Sequence, residues 1–250
     1  MLALRNTPNL AGITISGDYQ DLNALYQALS EVVGDEAEFL PYDNARLRVL
    51  GVCYDIRHAF QGDRETELVE TGMDRERMRW LGRILPENNL HYHVPVCYPE
   101  MLFVTMALDD FAQLYASRRV KSAPFPLLDN RMLWDPNLAQ VRLLQSQVAA
   151  RLKDAVSEAS YKRILNLIHH DYPWTAGYMD QYLDLLNVRY LHLDGREARK
   201  KALLTTVKRM VEKGPEYQAL AEDIRRYARE NGVDVGDVRT VDRYPDTVDW

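Results

Sequence analysis

The stretch ARLRVLGVCYDIRHAFQGDRE, residues 45–65, combines a helical apolar pattern with Asp55, Arg57, His58, Asp63, Arg64 and Glu65. On a helical wheel Val49, Cys53, Ile56 and Phe60 form one stripe, and Leu47, Gly51, Tyr54 and His58 fall nearly opposite. With neither face plainly solvated, the pattern predicts an interior helix at the centre of the fold, buried on both sides. Charges on such a helix need partners, because an unpaired buried charge costs several kcal/mol or shifts its pKa until it is neutral. The segment is therefore either a structural ion-pair hub or the edge of a site.

On its N-terminal side, Gly12 to Ser16 alternates apolar and polar residues before Gly17-Asp18, which predicts a strand and a turn. Leu22, Leu25, Tyr26, Leu29, Val32 and Val33 then recur at helical intervals, with Asp18 or Asp21 as the cap and Gly34 at the end. The two aspartates at this strand-to-helix junction would repel a phosphate, so no nucleotide loop is expected there. Asp35 to Asn44 reads as a loop leading to a cap at Asp43 or Asn44.

On its C-terminal side, a short strand is expected around Leu68-Val69. A helix follows over 73–85, with Met78, Leu81, Ile84 and Leu85 facing inward. Leu90 to Tyr98 alternates as a strand, and Pro95 places it at an edge or a bulge. Pro99-Glu100 suits the first turn of a core helix running to Tyr115. Ser117 to Asn130, with Pro124 and Pro126, is the candidate boundary. Beyond it come amphipathic helices over 138–156 and 161–168, the latter capped by Ser157, and further helices over 174–186, 196–211 and 217–227. The tail 233–250 is either a short strand with a loose end or a segment that docks Trp250. The expected class is α+β and mainly helical: an α+β part over 1–120, with a small sheet packed by helices, and a helical region over 121–250 that can share its core.

The 250 residues are 46% hydrophobic and 27% charged, ordinary globular usage that excludes disorder as the main state. A formal charge of −6 argues against general nucleic-acid binding. No window approaches the length of a membrane helix, and the N-terminus lacks a signal-peptide pattern. Cys53 and Cys97 read as reduced core thiols, which points to the cytoplasm, and whether the two could form a disulfide is a question only geometry decides.

The candidate catalytic set is Asp55, Arg57 and His58. His58 is the acid or base, and Asp55, three residues away, orients it. Arg57, Asp63, Arg64 and Glu65 form a candidate ligand-binding set, since guanidinium offers a planar donor fork to carboxylate or phosphate. The competing reading is a salt-bridge network tying the helix to the Gln61-Gly62-Asp63 turn. His91 and His93, on one side of a strand with Cys97, supply donors that zinc accepts, or simply a partly exposed polar face. His169-His170-Asp171 reads as a helix C-terminus where cationic side chains suit the dipole. The basic residues over 196–213 read as the solvated face of a helix.

NTPNLAGITISGDYQDLNALYQAL (6–29), RVLGVCYDIRHAFQGDRE (48–65) and PEMLFVTMALDDFAQLY (99–115) together resemble a family of uncharacterised bacterial proteins over about residues 1–117. The resemblance implies a bacterial, cytosolic setting and carries over no activity, cofactor or catalytic residue. Three functions fit these features. The first is a binding or regulatory protein whose helical half serves self-association or a protein partner. The second is a hydrolase or phosphate-ester-processing enzyme using Asp55, Arg57 and His58, with His91 and His93 around a metal; it requires these groups to share one cleft. The third is an anion or nucleotide sensor using Arg57 and Arg64.

Overall fold

A computed structural model of the chain, describing residues 1–168, 177–239 and 243–250, opens on the antiparallel strands β1 (Ala3–Asn6) and β2 (Gly12–Gly17). Their turn closes through Thr7, whose hydroxyl accepts from the Gly12 amide at 2.9 Å. The alternation of β2 is legible in the sequence; β1 is too short to register there. Helix α1 (Tyr19–Val33) starts at a capping box. Asp18 accepts from the Asp21 amide at 2.9 Å, Asp21 accepts from the Asp18 amide at 3.2 Å, and Gly34 at φ +73° ends the helix. The two aspartates that would repel a phosphate are thus the helix's own caps.

Helix α2 (Asp43–Phe60) buries Ala45, Val49, Val52, Cys53, Ile56 and Ala59, yet Leu47 is 55% and Tyr54 53% exposed. Burial on both sides is therefore corrected to burial on one. The opposite stripe has only isolated apolar residues around Gly51, and no layer of the described residues covers them. The start is also different: a 3-10 turn over Leu40–Tyr42 leads in, and Tyr42 gives no side-chain cap. A Cβ on Gly51 would meet nothing within 4 Å. Gly51→Ala is accordingly expected to stabilise by about 0.5–1 kcal/mol through lower unfolded-state entropy; a urea midpoint equal to or below wild type would contradict this.

Strand β3 (Thr66–Glu70), helix α3 (Arg75–Leu81) and strand β4 (Asn88–Cys97) follow. The antiparallel sheet has the order β1-β2-β4-β3. Pro95 thus lies in an inner strand, opposite Thr14. Its missing N–H costs little, because β4 turns alternate amides to alternate neighbours. That of His93 goes to the Glu65 carbonyl at 3.0 Å, and β3 has ended before Pro95 is reached. The helix expected over 73–85 stops early, since Gly82 takes a left-handed conformation at φ +60°. Ile84 is 97% exposed rather than inward.

The element buried nearly all round is α4 (Tyr98–Arg119), with Pro99 and Glu100 in its first turn and Met101, Phe103, Val104, Leu108, Phe111 and Tyr115 fully enclosed. It is followed by α5 (Asn130–Leu133), α6 (Pro136–Ala155), α7 (Glu158–Ile168), α8 (Met179–Leu191), α9 (Gly195–Glu212) and α10 (Pro215–Asn231). Asp135 caps α6, and the Ser157 hydroxyl accepts from the Ser160 amide at 3.2 Å at the start of α7. Ile13, Ile15, Val94 and Val96 of the sheet join α1, α2 and α4 in an apolar cluster that extends from Leu2 to Ala221. α6, α8 and α9 turn their stripes into it through Val141, Leu144, Val148, Leu183, Leu203, Val207 and Met210. The tail docks on the β1–β2 turn: the Trp250 carbonyl accepts from the Asn9 amide at 3.2 Å. Arg199, 2% exposed, donates to the carbonyls of Asp249, Asn9 and Leu191. His169-His170-Asp171 and the start expected at Trp174 lie outside the described residues. No helix among those described is long and apolar enough to cross a membrane.

Candidate functional site

The residues singled out at 55–65 meet at the end of α2. Arg64 Nη2 donates to Asp55 Oδ1 at 2.5 Å, and His58 Nδ1 lies 3.0 Å from Asp63 Oδ2. Asp55 is thus held by Arg64, and the carboxylate beside His58 is that of Asp63. Arg57 lies over the Tyr54 ring at 5.2 Å, and Tyr54 contacts the His58 ring at 4.2 Å. Glu65 contributes its carbonyl to β4, while its side chain is exposed. These short-range pairs fasten the last turn of α2 to the start of β3. They are partly exposed and form an ion-pair hub in geometry; such surface pairs are worth about 0–1 kcal/mol each.

His91 and His93 share the sheet face opposite Tyr92, and Tyr92 meets Phe60 of α2 edge-on at 5.9 Å. The sheet therefore stands between the histidines and the end of α2, and the two sets do not open on one cleft. His93 Nε2 is 3.3 Å from Glu67 Oε2, and His91 faces Glu67 in register. Among the described residues no three His, Cys, Asp or Glu side chains converge to hold a metal. Burial pushes the Cys53 thiol up to about 12 and the Cys97 thiol in the same direction, so neither is a thiolate nucleophile at neutral pH.

Two features escape the sequence reading. The first is a half-buried charge cluster around Arg48. Its Nε donates to Asp180 Oδ1 at 2.5 Å, Nη2 reaches Asp184 Oδ1 at 2.8 Å, and Nη1 lies 3.4 Å from Glu100 Oε2. Asn187 Nδ2 donates to Glu100 at 2.7 Å, and the Tyr244 hydroxyl lies 3.3 Å from both Asn187 Nδ2 and Asp184 Oδ1. The cluster ties α2, α4, α8 and the tail together. Burial pushes the Glu100 carboxyl above the usual range, against the pull of Arg48. No local signal marks it, since every partner of Arg48 lies 52 or more residues away.

The second is an arm over residues 63–90. Leu68 is 69%, Trp80 84% and Ile84 97% exposed, with Leu81, Leu85 and Leu90 also open to solvent. Isolated exposed apolar residues are ordinary, but six fall within this one excursion. The arm also carries an open sheet edge. At the other edge, Gln147 of α6 satisfies β1, accepting from the Leu4 amide at 2.9 Å and donating to the Leu2 carbonyl at 2.8 Å. β3 has no such cover among the described residues. Because Glu67 pairs with His91 and Val69 with Asn89, the backbone groups of Thr66, Leu68 and Glu70 point outward. The charges are polarised: Glu65 precedes β3 and Glu70 ends it, Arg75, Arg79 and Arg83 belong to α3 and its exit, and none of these five has an ion-pair partner among the described residues. The usable signal in the sequence is Gly82, which ends α3 too early for its stripe to reach the core.

A family model described as Domain of unknown function (DUF6904) matches residues 2–250, so the match runs through the helical half as well as residues 1–117. No curated protein and no solved structure matches the chain.

Proposed function

The chain belongs to the DUF6904 family, and from that premise we propose that it is a cytoplasmic binding protein that works as a homodimer assembled through the 63–90 arm. The observation that carries this reading is the outer edge of β3, uncovered among the described residues, in an arm that also exposes Leu68, Trp80 and Ile84. An open strand edge templates pairing with another chain, and strand addition supplies main-chain hydrogen bonds. A second copy fits because the arm is complementary to itself, offering carboxylates along β3 and guanidiniums along α3. Charge also selects the register. A two-fold axis at Glu67 sets that carboxylate against its copy, whereas one at Leu68 sets Leu68 against Leu68, Glu67 against Val69 and Thr66 against Glu70. The helical half is the poorer candidate, since the apolar stripes of α6, α8 and α9 are spent on the shared core. The cytoplasmic setting rests on two free thiols, Cys53 and Cys97.

Light scattering after gel filtration at about 100 μM, above a micromolar dissociation constant, is expected to give twice the 29.0 kDa chain mass. Leu68→Asp, which brings two carboxylates face to face at the axis, is expected to give the monomer mass with unchanged helical circular dichroism. Leu68→Cys is expected to cross-link to a dimer on mild oxidation, because paired Cβ atoms sit about 4.5–5.5 Å apart. A monomeric wild type, or a dimer indifferent to Leu68→Asp, overturns the reading.

A further inference from the structure

We infer that the groove between α8 and α9 binds a small carboxylate carried on an apolar body. The groove encloses about 340 Å3, within the range of small-molecule sites. Its floor is apolar, made by Leu186, Tyr190 and Ala202, and its rim carries Arg189, Lys201 and Arg209. The protein itself displays the recognition chemistry. The Glu216 carboxylate pairs with Arg189, lies 3.7 Å from Arg209 Nε and accepts from the Tyr182 hydroxyl at 3.1 Å. Two guanidiniums thus share one carboxylate, and Lys201, on the lining of the same groove, is exposed with no ion-pair partner among the described residues. The surplus positive charge and the remaining donors of the guanidiniums suit a second carboxylate, entering with its apolar part against Tyr190 and Leu186. A bare phosphate would leave that floor unused. The inference is independent of the dimer, because the groove involves no residue of the arm.

Isothermal titration of the full chain with phenylacetate, benzyl alcohol and inorganic phosphate tests it. Phenylacetate is expected to bind and benzyl alcohol, which lacks the charge, is not. Lys201→Met is expected to weaken phenylacetate roughly tenfold by removing one charge-assisted contact. Glu216→Gln is expected to tighten it, since the internal competitor is neutralised, a sign that simple loss of structure does not produce. No phenylacetate binding, equal binding of benzyl alcohol, binding of phosphate alone, or an affinity indifferent to Lys201→Met overturns the inference.

Discussion

Arg48→Met is expected to lower the unfolding free energy by about 3–5 kcal/mol at neutral pH, the usual cost of removing one partner from a buried ion cluster. The Arg48 side chain is 17% exposed and stands against Glu100, Asp180 and Asp184, which are 17%, 14% and 22% exposed. Without it three carboxylates share a poorly solvated space, and the remaining cation paired with them among the described residues is Arg239, 3.3 Å from Asp180 and 68% exposed. The lost interaction has a definite pH signature. Burial already holds the Glu100 pKa above its ordinary value, and removal of Arg48 drives it further up. A carboxyl whose folded pKa is raised binds protons more tightly in the native state. Its contribution is therefore full below the ordinary glutamate pKa and is lost as pH rises through the folded value. The deficit of Arg48→Met is accordingly largest at neutral pH and shrinks toward about pH 4.5, near the unfolded glutamate value. Urea denaturation at both pH values measures it. A deficit below about 1 kcal/mol, or one independent of pH, would show that the cluster behaves as a solvated surface network.

Gly12→Ala is expected to cost about 3 kcal/mol or more, or to prevent folding. A Cβ built on Gly12 stands 2.0 Å from the Val96 carbonyl oxygen, 2.8 Å from its carbon and 3.1 Å from Cys97 Cα. All three are backbone atoms of a paired strand, so no rotamer change relieves the overlap and β2 must move away from β4. The register there joins Gly12 to Cys97 and Ile13 to Val96, and both isoleucines of β2 are fully buried. Parting the strands also disturbs the Thr7 hydroxyl contact with the Gly12 amide. Overpacking in a fixed core usually costs about 1–3 kcal/mol, and values above that come from backbone that cannot relax. Soluble yield and the urea midpoint of Gly12→Ala report the effect. A variant within about 1 kcal/mol of wild type would mean that this strand junction yields far more readily than its contacts imply.

Much of the fold is legible in short stretches of sequence. The capping box at Asp18 and Asp21, the stop at Gly34, the Pro99-Glu100 helix start and the Ser157 turn each rest on contacts within a few residues. Most amphipathic helices of the second half also lie where their spacing puts them, because a helical period is a property of neighbouring residues. Legibility failed where two stripes competed. In α2 the Leu47, Gly51 and Tyr54 stripe resembles a second buried face, yet the helix buried all round is α4, and no periodicity tells which of two apolar helices the others enclose. The stripe of α3 failed for a related reason: its spacing is right, but Gly82 ends the helix and the sheet edge carries the segment away from the core.

The candidate site divides in the same way. Asp55, His58, Asp63 and Arg64 were singled out from one stretch and do gather, since they are sequence neighbours at a helix end. His91 and His93 do not join them, because alternation along β4 sends histidines and Tyr92 to opposite faces. By itself the sequence determined several helix starts, among them those at Asp18 and Pro99, the α+β composition and the gathering of charged residues at 55–64, all of which depend on hydrogen bonds and periodicities spanning a handful of residues. Only the tertiary structure decided that Arg48 gathers Glu100, Asp180 and Asp184, that Gln147 seals β1 while β3 stays open, and that Trp80 and Ile84 face outward. Burial and charge pairing are set by which distant segments displace water from a surface, and that is a property of the packed chain.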